Sequence, residues 1–356
     1  MSRIVVKVGS NVLTRSDGKL DITRMSSLAD QIVWLRREGH EVILVSSGSV
    51  TGGRGEIQPR HRLGSVEERQ LYSAVGQTKL INSYYNLFRG YDVHVGQVLT
   101  MKESFATRRE YLNQRACMSV MLANDVLPIV NENDTVSVTE LMFTDNDELS
   151  GLIASMMDAD TLILLSNIDG IYDGDPADPA AHVIEHVDTA TDLSACITRG
   201  KSEFGRGGMI TKYNTARRVA EEGIRVIIAN GRRDGILIDL LRHPDSVPHT
   251  TFLPAEEGVS TMKKWIAHSG SFAKGIVRVN ASAAEALRGE RATSLLLVGV
   301  TAIEGDFEDG DIVTIADHNG ATVAIGRSAY DSDEARQHIG EHGMRPIVHY
   351  DYMYME

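Results

Sequence analysis

The sequence predicts an α/β protein, a three-layer sandwich around a mainly parallel central sheet, followed by a small β-rich domain. Three observations predict it. Short runs rich in valine, isoleucine and leucine recur without strict alternation, as in strands buried on both faces. Longer stretches with helical spacing separate them, which is the pattern of parallel strands joined by crossover helices. After about residue 243 the pattern changes to short strand-like runs and tight turns.

The strand candidates of the first region are Ile4–Val8, Val42–Val45, Val93–Leu99, Val126–Val130, Thr161–Leu165 and Arg225–Ala229. Between the first two, Ile22, Met25, Leu28, Ile32 and Leu35 recur every three or four residues, and Gly39 is the stop, so Ile22–Glu38 reads as a helix. Glu67–Phe88, Lys102–Asn124, Asn146–Asp158 and Met209–Glu222 carry the same spacing. His249–Pro254 is a last strand, and the polar stretch Glu256–Lys264 is a connector. In the tail, Gly275–Val279, Ser294–Val298, Gly305–Asp311, Ile312–Ile315 and Thr322–Gly326 are strand-like, with turns expected at Asp309-Gly310-Asp311 and Asn319-Gly320. The expected division is 1–255, a connector over 256–267, and 268–356.

Composition narrows the function. The chain of 356 residues is long enough for two domains, and its 42% hydrophobic and 24% charged residues are ordinary for a globular protein. No apolar run reaches the roughly 18 residues of a membrane span. Residues Arg3–Val8 enter a strand at once, so no signal peptide is expected, and the two cysteines, Cys117 and Cys196, suit the cytoplasm. A net charge of −13 gives no general attraction for nucleic acid or anionic membrane, so cations that hold a polyanion must be local.

Several segments carry polar chemistry at the ends of predicted strands, where open α/β sheets bind ligands. The first strand ends in Lys7-Val8-Gly9-Ser10, which can aim an ammonium and backbone N–H groups at a phosphate, or be a solvated lysine before a routine turn. Ser46-Ser47-Gly48-Ser49 is either a close backbone approach to a ligand or a capped strand-to-helix loop. Asn131-Glu132-Asn133-Asp134 follows a buried strand; an amino-acid head group could be held there, with Asp134 as partner of an α-ammonium, and a solvated loop is the alternative. Thr144-Asp145-Asn146-Asp147-Glu148 opens a helix, and capping accounts for only part of the cluster. Gly205-Arg206-Gly207-Gly208-Met209-Ile210-Thr211-Lys212 is a glycine-rich loop running into a helix, which fits nucleotide phosphates. It is not the usual P-loop, because Gly200-Lys201-Ser202 is preceded by Ala195 where a glycine is required. His338-Ile339-Gly340-Glu341-His342 matches an inverted zinc-peptidase pattern; its internal glycine and the lack of a third ligand mark it as coincidence, and no metal site is expected.

Together these segments, with Ala74-Val75-Gly76-Gln77 and His94-Val95-Gly96-Gln97, resemble the amino acid kinase family, on its glutamate-phosphorylating branch, over essentially the whole chain. The tail resembles a PUA domain, a module of RNA-modifying proteins. The resemblance implies the amino acid kinase fold and transfer of phosphate from ATP, with Mg2+, to the side-chain carboxylate of L-glutamate. That is the first step of proline biosynthesis. It implies that Lys7 and Lys212 contact the phosphates, that Asp147 orients them, and that Ser47, Asp134 and Asn146 bind glutamate. Gly9, Ser166, Asn167 and the loop residues Arg206, Gly207, Gly208, Met209, Ile210 and Thr211 fall to ATP; Ser166-Asn167 departs from the commoner Thr-Asp. A homo-oligomer, feedback inhibition by proline and handover of the acyl phosphate to a glutamyl phosphate reductase are implied as well.

Rival acceptors within the family are acetylglutamate, aspartate and uridylate. Acetylglutamate has no free ammonium for Asp134, and a nucleotide acceptor would want basic residues at Asn131–Asp134. An RNA-binding role is the reading from another class. Residues 268–356 hold 7 basic against 14 acidic residues, a net of −7, which argues against general RNA binding.

Overall fold

The computed structural model describes residues 2–105, 108–136, 146–188, 191, 193, 208–255, 266, 273–289 and 293–355. Two compact units divide the chain: residues Met1–Lys102 with Asn113–Gly258, and residues Glu103–Leu112 with Val259–Glu356.

The first unit is built on an eight-stranded sheet among the described residues. Its strands are β1 (Arg3–Val8), β2 (Glu41–Ser46), β3 (Val95–Thr100), β4 (Leu127–Glu132), β5 (Thr161–Ser166), β6 (His186–Val187), β7 (Arg225–Asn230) and β8 (His249–Phe252), in the order β3-β4-β2-β1-β5-β7-β8-β6. All neighbours from β3 to β7 run parallel, and only β8 is antiparallel to β7. The parallel strands β1, β2 and β5 are buried at nearly every position, which explains their apolar runs, broken only by Lys7 in β1. Helices fill the predicted crossovers: Ile22–Arg37, Ser65–Arg89, Arg108–Ala123, Asn146–Met156 and Met209–Glu221. Asp21 caps the first by accepting from the Arg24 N–H at 3.0 Å. The stretch Lys102–Asn124 is one helix in the sequence reading; a short 3-10 turn, Lys102–Phe105, stands apart from Arg108–Ala123 in the structure.

Register decides where the site lies. Val8 pairs with Ser46 of β2 and Leu165 of β5, and Ser166 pairs with Asn230 of β7. The carboxyl ends of the central strands therefore form one edge. Chain order reverses across β1, which has β2 on one side and β5 on the other, so this is a switch point.

The second unit carries a five-stranded sheet: β9 (Gly275–Val279), β10 (Val300–Gly305), β11 (Ile312–Ala316), β12 (Thr322–Arg327) and β13 (Met353–Met355), ordered β10-β9-β11-β12-β13. The expected Asn319-Gly320 turn joins β11 to antiparallel β12, with Asp317 Oδ1 accepting from the Asn319 and Ala321 N–H groups at 2.9 and 3.1 Å. Two strand expectations are corrected. Ser294–Val298 makes only an isolated bridge, Leu295 to Val348, before the 3-10 turn Leu297–Gly299; its apolar run is spent on burying Leu295 and Leu297, while Leu296 faces solvent. Gly305–Asp311 is a loop after β10, because Gly305 and Gly310 hold positive φ of 82° and 97°. The strand that does form, Val300–Gly305, was masked by its own polar residues. Gly340 has φ 81°, so His338 and His342 do not share a helix face, and His338 bonds Glu341 at 2.9 Å.

Candidate active site

Lys7 is the penultimate residue of β1, Asp147 the second residue of the Asn146–Met156 helix, and Lys212 lies in the first turn of the Met209–Glu221 helix. The fold brings all three together. Lys7 Nζ donates to Asp147 Oδ1 at 2.5 Å, and Lys212 Nζ donates to Oδ2 at 2.7 Å. Asp147 has no exposed surface, while the Lys212 side chain keeps 13%. Burial alone pushes the Asp147 carboxyl pKa upward, but the two ammonium groups hold it well below the usual range. At an effective dielectric near 20, each contact is worth roughly 5 kcal/mol of attraction. That attraction is set against the desolvation of three nearly buried ions, and its effect on Asp147 is to keep the carboxylate ionised. Asp147 is thus a permanent anion at working pH and carries no proton. Each ammonium spends one N–H on Asp147, and the other two have no partner among the described residues. The trio carries a net positive charge at the sheet's carboxyl edge.

The approach of Lys212 depends on Gly151, one turn beyond Asp147. A Cβ there would lie 2.8 Å from Thr215 Cγ2 and 3.1 Å from Val219 Cγ2 of the Met209–Glu221 helix. That helix has Gly208 at its N-cap and no acidic residue in its own first turn to offset its positive end. Met209 and Thr211 open this helix beside Ile210, which is 43% exposed. Arg206 and Gly207, like Gly205, Thr144 and Asp145, lie outside the described residues. The Gly9 N–H donates to Leu165 O at 3.1 Å and ties β1 to β5. Ser166 ends β5, with its carbonyl accepting from Gly231 N–H at 2.8 Å and its hydroxyl donating to Asn167 at 3.5 Å.

A second cluster gathers at the ends of β2 and β4. Asn146 Nδ2 donates to Ser46 O at 3.1 Å, Ser47 Oγ at 2.9 Å and Asn131 Oδ1 at 3.0 Å. Asn131 in turn donates to Gln77 Oε1 at 2.8 Å. Asn146 therefore pins the start of the Asp147 helix to both strands. Asp134, 6% exposed, is engaged by Arg69: Nε donates to Oδ1 at 2.7 Å and Nη2 bonds the same oxygen. Arg69 Nη2 also bonds Glu132 at 3.1 Å, and the Ser49 and Ser73 hydroxyls reach Asp134 Oδ2 at 3.3 and 3.4 Å.

Arg69 and Ser73 are not among the residues that the sequence singles out, and Ser49 and Gln77 enter there only as members of their motifs, without a role. Arg69, Ser73 and Gln77 are spaced by four on the Ser65–Arg89 helix, so they share one face. That polar row on a helix otherwise buried through Tyr72, Leu80 and Tyr84 was the available signal. Gly76 lets this helix meet the short helix Ser49–Arg54, since a Cβ on Gly76 would fall 1.8 Å from Ser49 O. The contact is what holds Ser49 and Ser73 over one carboxylate.

Comparison with known proteins fits this layout. The model of the amino acid kinase family matches residues 2–230, and that of the PUA domain matches residues 275–350. The glutamate 5-kinase of Bacteroides thetaiotaomicron is 62% identical over 355 residues, covering 100% of this chain and 99% of the relative. That of Chlorobaculum tepidum is 46% identical over 99% of this chain and 97% of its own. Carbamate kinase from Giardia lamblia, at 15% identity, superposes with a TM-score of 0.51 over 71% of this chain and 99% of its own, a likeness of fold alone. On the family model and the full-length relatives, the chain belongs to the amino acid kinase family, among the glutamate 5-kinases with a PUA domain.

Proposed function

We propose that this enzyme transfers the γ-phosphoryl group of ATP to the side-chain carboxylate of L-glutamate, giving glutamyl 5-phosphate and ADP. The observation that carries the reading is the fully buried Asp147 with one lysine on each oxygen, drawn from opposite ends of the catalytic unit. The acceptor carboxylate is already ionised, so a carboxylate oxygen forms the new bond to phosphorus without a general base. The bond to the bridging oxygen breaks, and ADP leaves with that electron pair. Little covalent help is needed; alignment and neutralisation of the phosphoryl oxygens supply the rate. Lys7 and Lys212 direct their remaining N–H donors at those oxygens, and Asp147 fixes the spacing between them. The N-terminus of the Met209–Glu221 helix, with Arg206 and Gly207 before it, takes the nucleotide phosphates, while Gly9, Ser166 and Asn167 border the nucleotide.

Ser47, Asn146 and Asp134 bind glutamate in this reading. Both oxygens of Asp147 are engaged by lysines, so that carboxylate is not offered to a metal. Magnesium would enter on the ATP phosphates and neutralise their charge. The catalytic domain is assigned to 1–255, a linker to 256–267 and the PUA-like domain to 268–356. An acyl phosphate hydrolyses readily, which favours cytoplasmic handover to a glutamyl phosphate reductase. The same reading makes the enzyme a homo-oligomer, inhibited by proline at the glutamate site.

The test is ADP release across free amino acids, acetylglutamate and uridylate, with hydroxylamine present to trap acyl phosphate. Glutamate-dependent hydroxamate is the expected result. Turnover of acetylglutamate, aspartate or uridylate without glutamate would overturn the assignment.

A further inference from the structure

We propose that Arg69 binds the α-carboxylate of the substrate, so that the Arg69–Asp134 ion pair reads the zwitterionic head group as a unit. This inference rests on the glutamate reading above. A free amino acid presents an ammonium and a carboxylate on one carbon. A complementary site needs an anion and a cation side by side, each with bonding capacity left over. Asp134 and Arg69 have that arrangement. Asp134 Oδ1 is taken by Arg69 Nε and Nη2, whereas among the described residues Oδ2 meets only the Ser49 and Ser73 hydroxyls at 3.3 and 3.4 Å, which is long for such bonds. That oxygen is available to an ammonium.

Arg69 mirrors it. Its Nε and Nη2 are spent on Asp134 and Glu132, and Nη1 has no partner among the described residues. The side chain is 29% exposed, against 7% for that of Asp134. The guanidinium is thus anchored along one side and open on the other, and its remaining N–H groups suit a second carboxylate. The anchor also limits the rotamer entropy that an arginine loses on binding. Selectivity follows from both partners. A substrate lacking the ammonium leaves Asp134 Oδ2 without its cation, and one lacking the α-carboxylate charge leaves Nη1 without its anion.

The experiment compares L-glutamate with its α-carboxamide, which keeps the ammonium and the reacting side chain. Enzyme and variants are assayed for kcat and KM at saturating ATP. For the unaltered enzyme we expect the amide to have a KM about 10- to 100-fold above that of glutamate, the range for one charged hydrogen bond. Arg69→Gln should raise the glutamate KM by a similar factor, leave the KM for ATP in place, and bring the two substrates close to parity. Arg69→Lys keeps the charge without the fork and should restore part of the preference for glutamate. Arg69→Ala serves as the stricter deletion, with circular dichroism as the check on folding; Arg69→Gln and Arg69→Lys decide the matter if it does not fold. An Arg69→Gln enzyme that still prefers glutamate over the amide by the original factor overturns the proposal. So does an equal rise of KM for both substrates, which would make Arg69 only a support for Asp134. An unaltered enzyme inactive on glutamate would instead overturn the glutamate reading itself, and this inference with it.

Discussion

The two ends of the site hold their charges in opposite ways. At the proposed phosphoryl end one buried carboxylate, Asp147, sits between two lysines, and the excess charge is positive. At the proposed head-group end one guanidinium, Arg69, is shared by two carboxylates, Asp134 and Glu132. The first arrangement suits a polyanion that gains dispersed charge in the transition state; the second suits a zwitterion that does not change charge during the reaction. Catalysis acts through interactions that strengthen in the transition state, whereas binding acts through those that are uniform. Changes at the two ends should therefore separate into kcat and KM.

The largest effects belong to the phosphoryl end. Lys7→Ala and Lys212→Ala should each lower kcat by roughly 10²-fold or more, as expected for removal of one preorganised charge contact, with smaller changes in KM. Lys7→Arg should not rescue, because a planar fork does not replace a compact ammonium in a buried site. Asp147→Asn leaves two ammoniums without their shared anion. Breaking a buried pair from one side costs about 3–5 kcal/mol, so this variant should lose both kcat and thermal stability. Wild-type kcat in either alanine variant would make that lysine structural and remove it from the mechanism.

Next in size is the head-group end. Asp134→Ala should raise the glutamate KM by about 10- to 100-fold, the size of one charge-assisted bond, with KM for ATP unchanged. Steady-state titration of both substrates on the folded variant measures this. A fall in kcat at unchanged glutamate KM would erase the distinction between the ends.

The same contrast governed what could be read in advance. Lys7, Asp147 and Lys212 sit where elements begin or end, the two lysines near Gly9 and Gly208 and Asp147 within the polar run Thr144–Glu148, and such junctions stand out because polar residues there break an apolar pattern. Most strands were legible for the reverse reason, since β2, β5 and β7 carry uninterrupted apolar runs buried on both faces and β1 is broken only by Lys7. Arg69 and Ser73 lie inside a long amphipathic helix, where a polar residue is ordinarily a solvated one. Only the end of β4 brought against that helix turns them into a site, and helical periodicity does not encode that tertiary contact. The mixed sheet of the second unit was the least legible part: β10 is half-exposed and acidic at its end, and β13 is only three residues long.

The smallest effects test whether the two ends are also built with different tolerance. Each has a glycine where a helix approaches closely. At Gly151 an added methyl would meet side-chain methyls of Thr215 and Val219 at 2.8 and 3.1 Å, and side chains can turn aside. At Gly76 it would lie 1.8 Å from Ser49 O and 2.3 Å from Gly53 N, which are backbone atoms that move only if the short helix Ser49–Arg54 moves. Overpacking costs about 1–3 kcal/mol in general. Gly151→Ala should fall at the low end, about 1 kcal/mol, with kcat reduced only as far as Lys212 is shifted. Gly76→Ala should reach the high end, about 3 kcal/mol, and should raise the glutamate KM because Ser49 and Ser73 lose their common focus on Asp134. Thermal melts of both variants, read beside their kinetics, measure the difference. Equal destabilisation would mean that the backbone contact at Gly76 relaxes as easily as a rotamer, and that the head-group end is no more rigidly framed than the phosphoryl end.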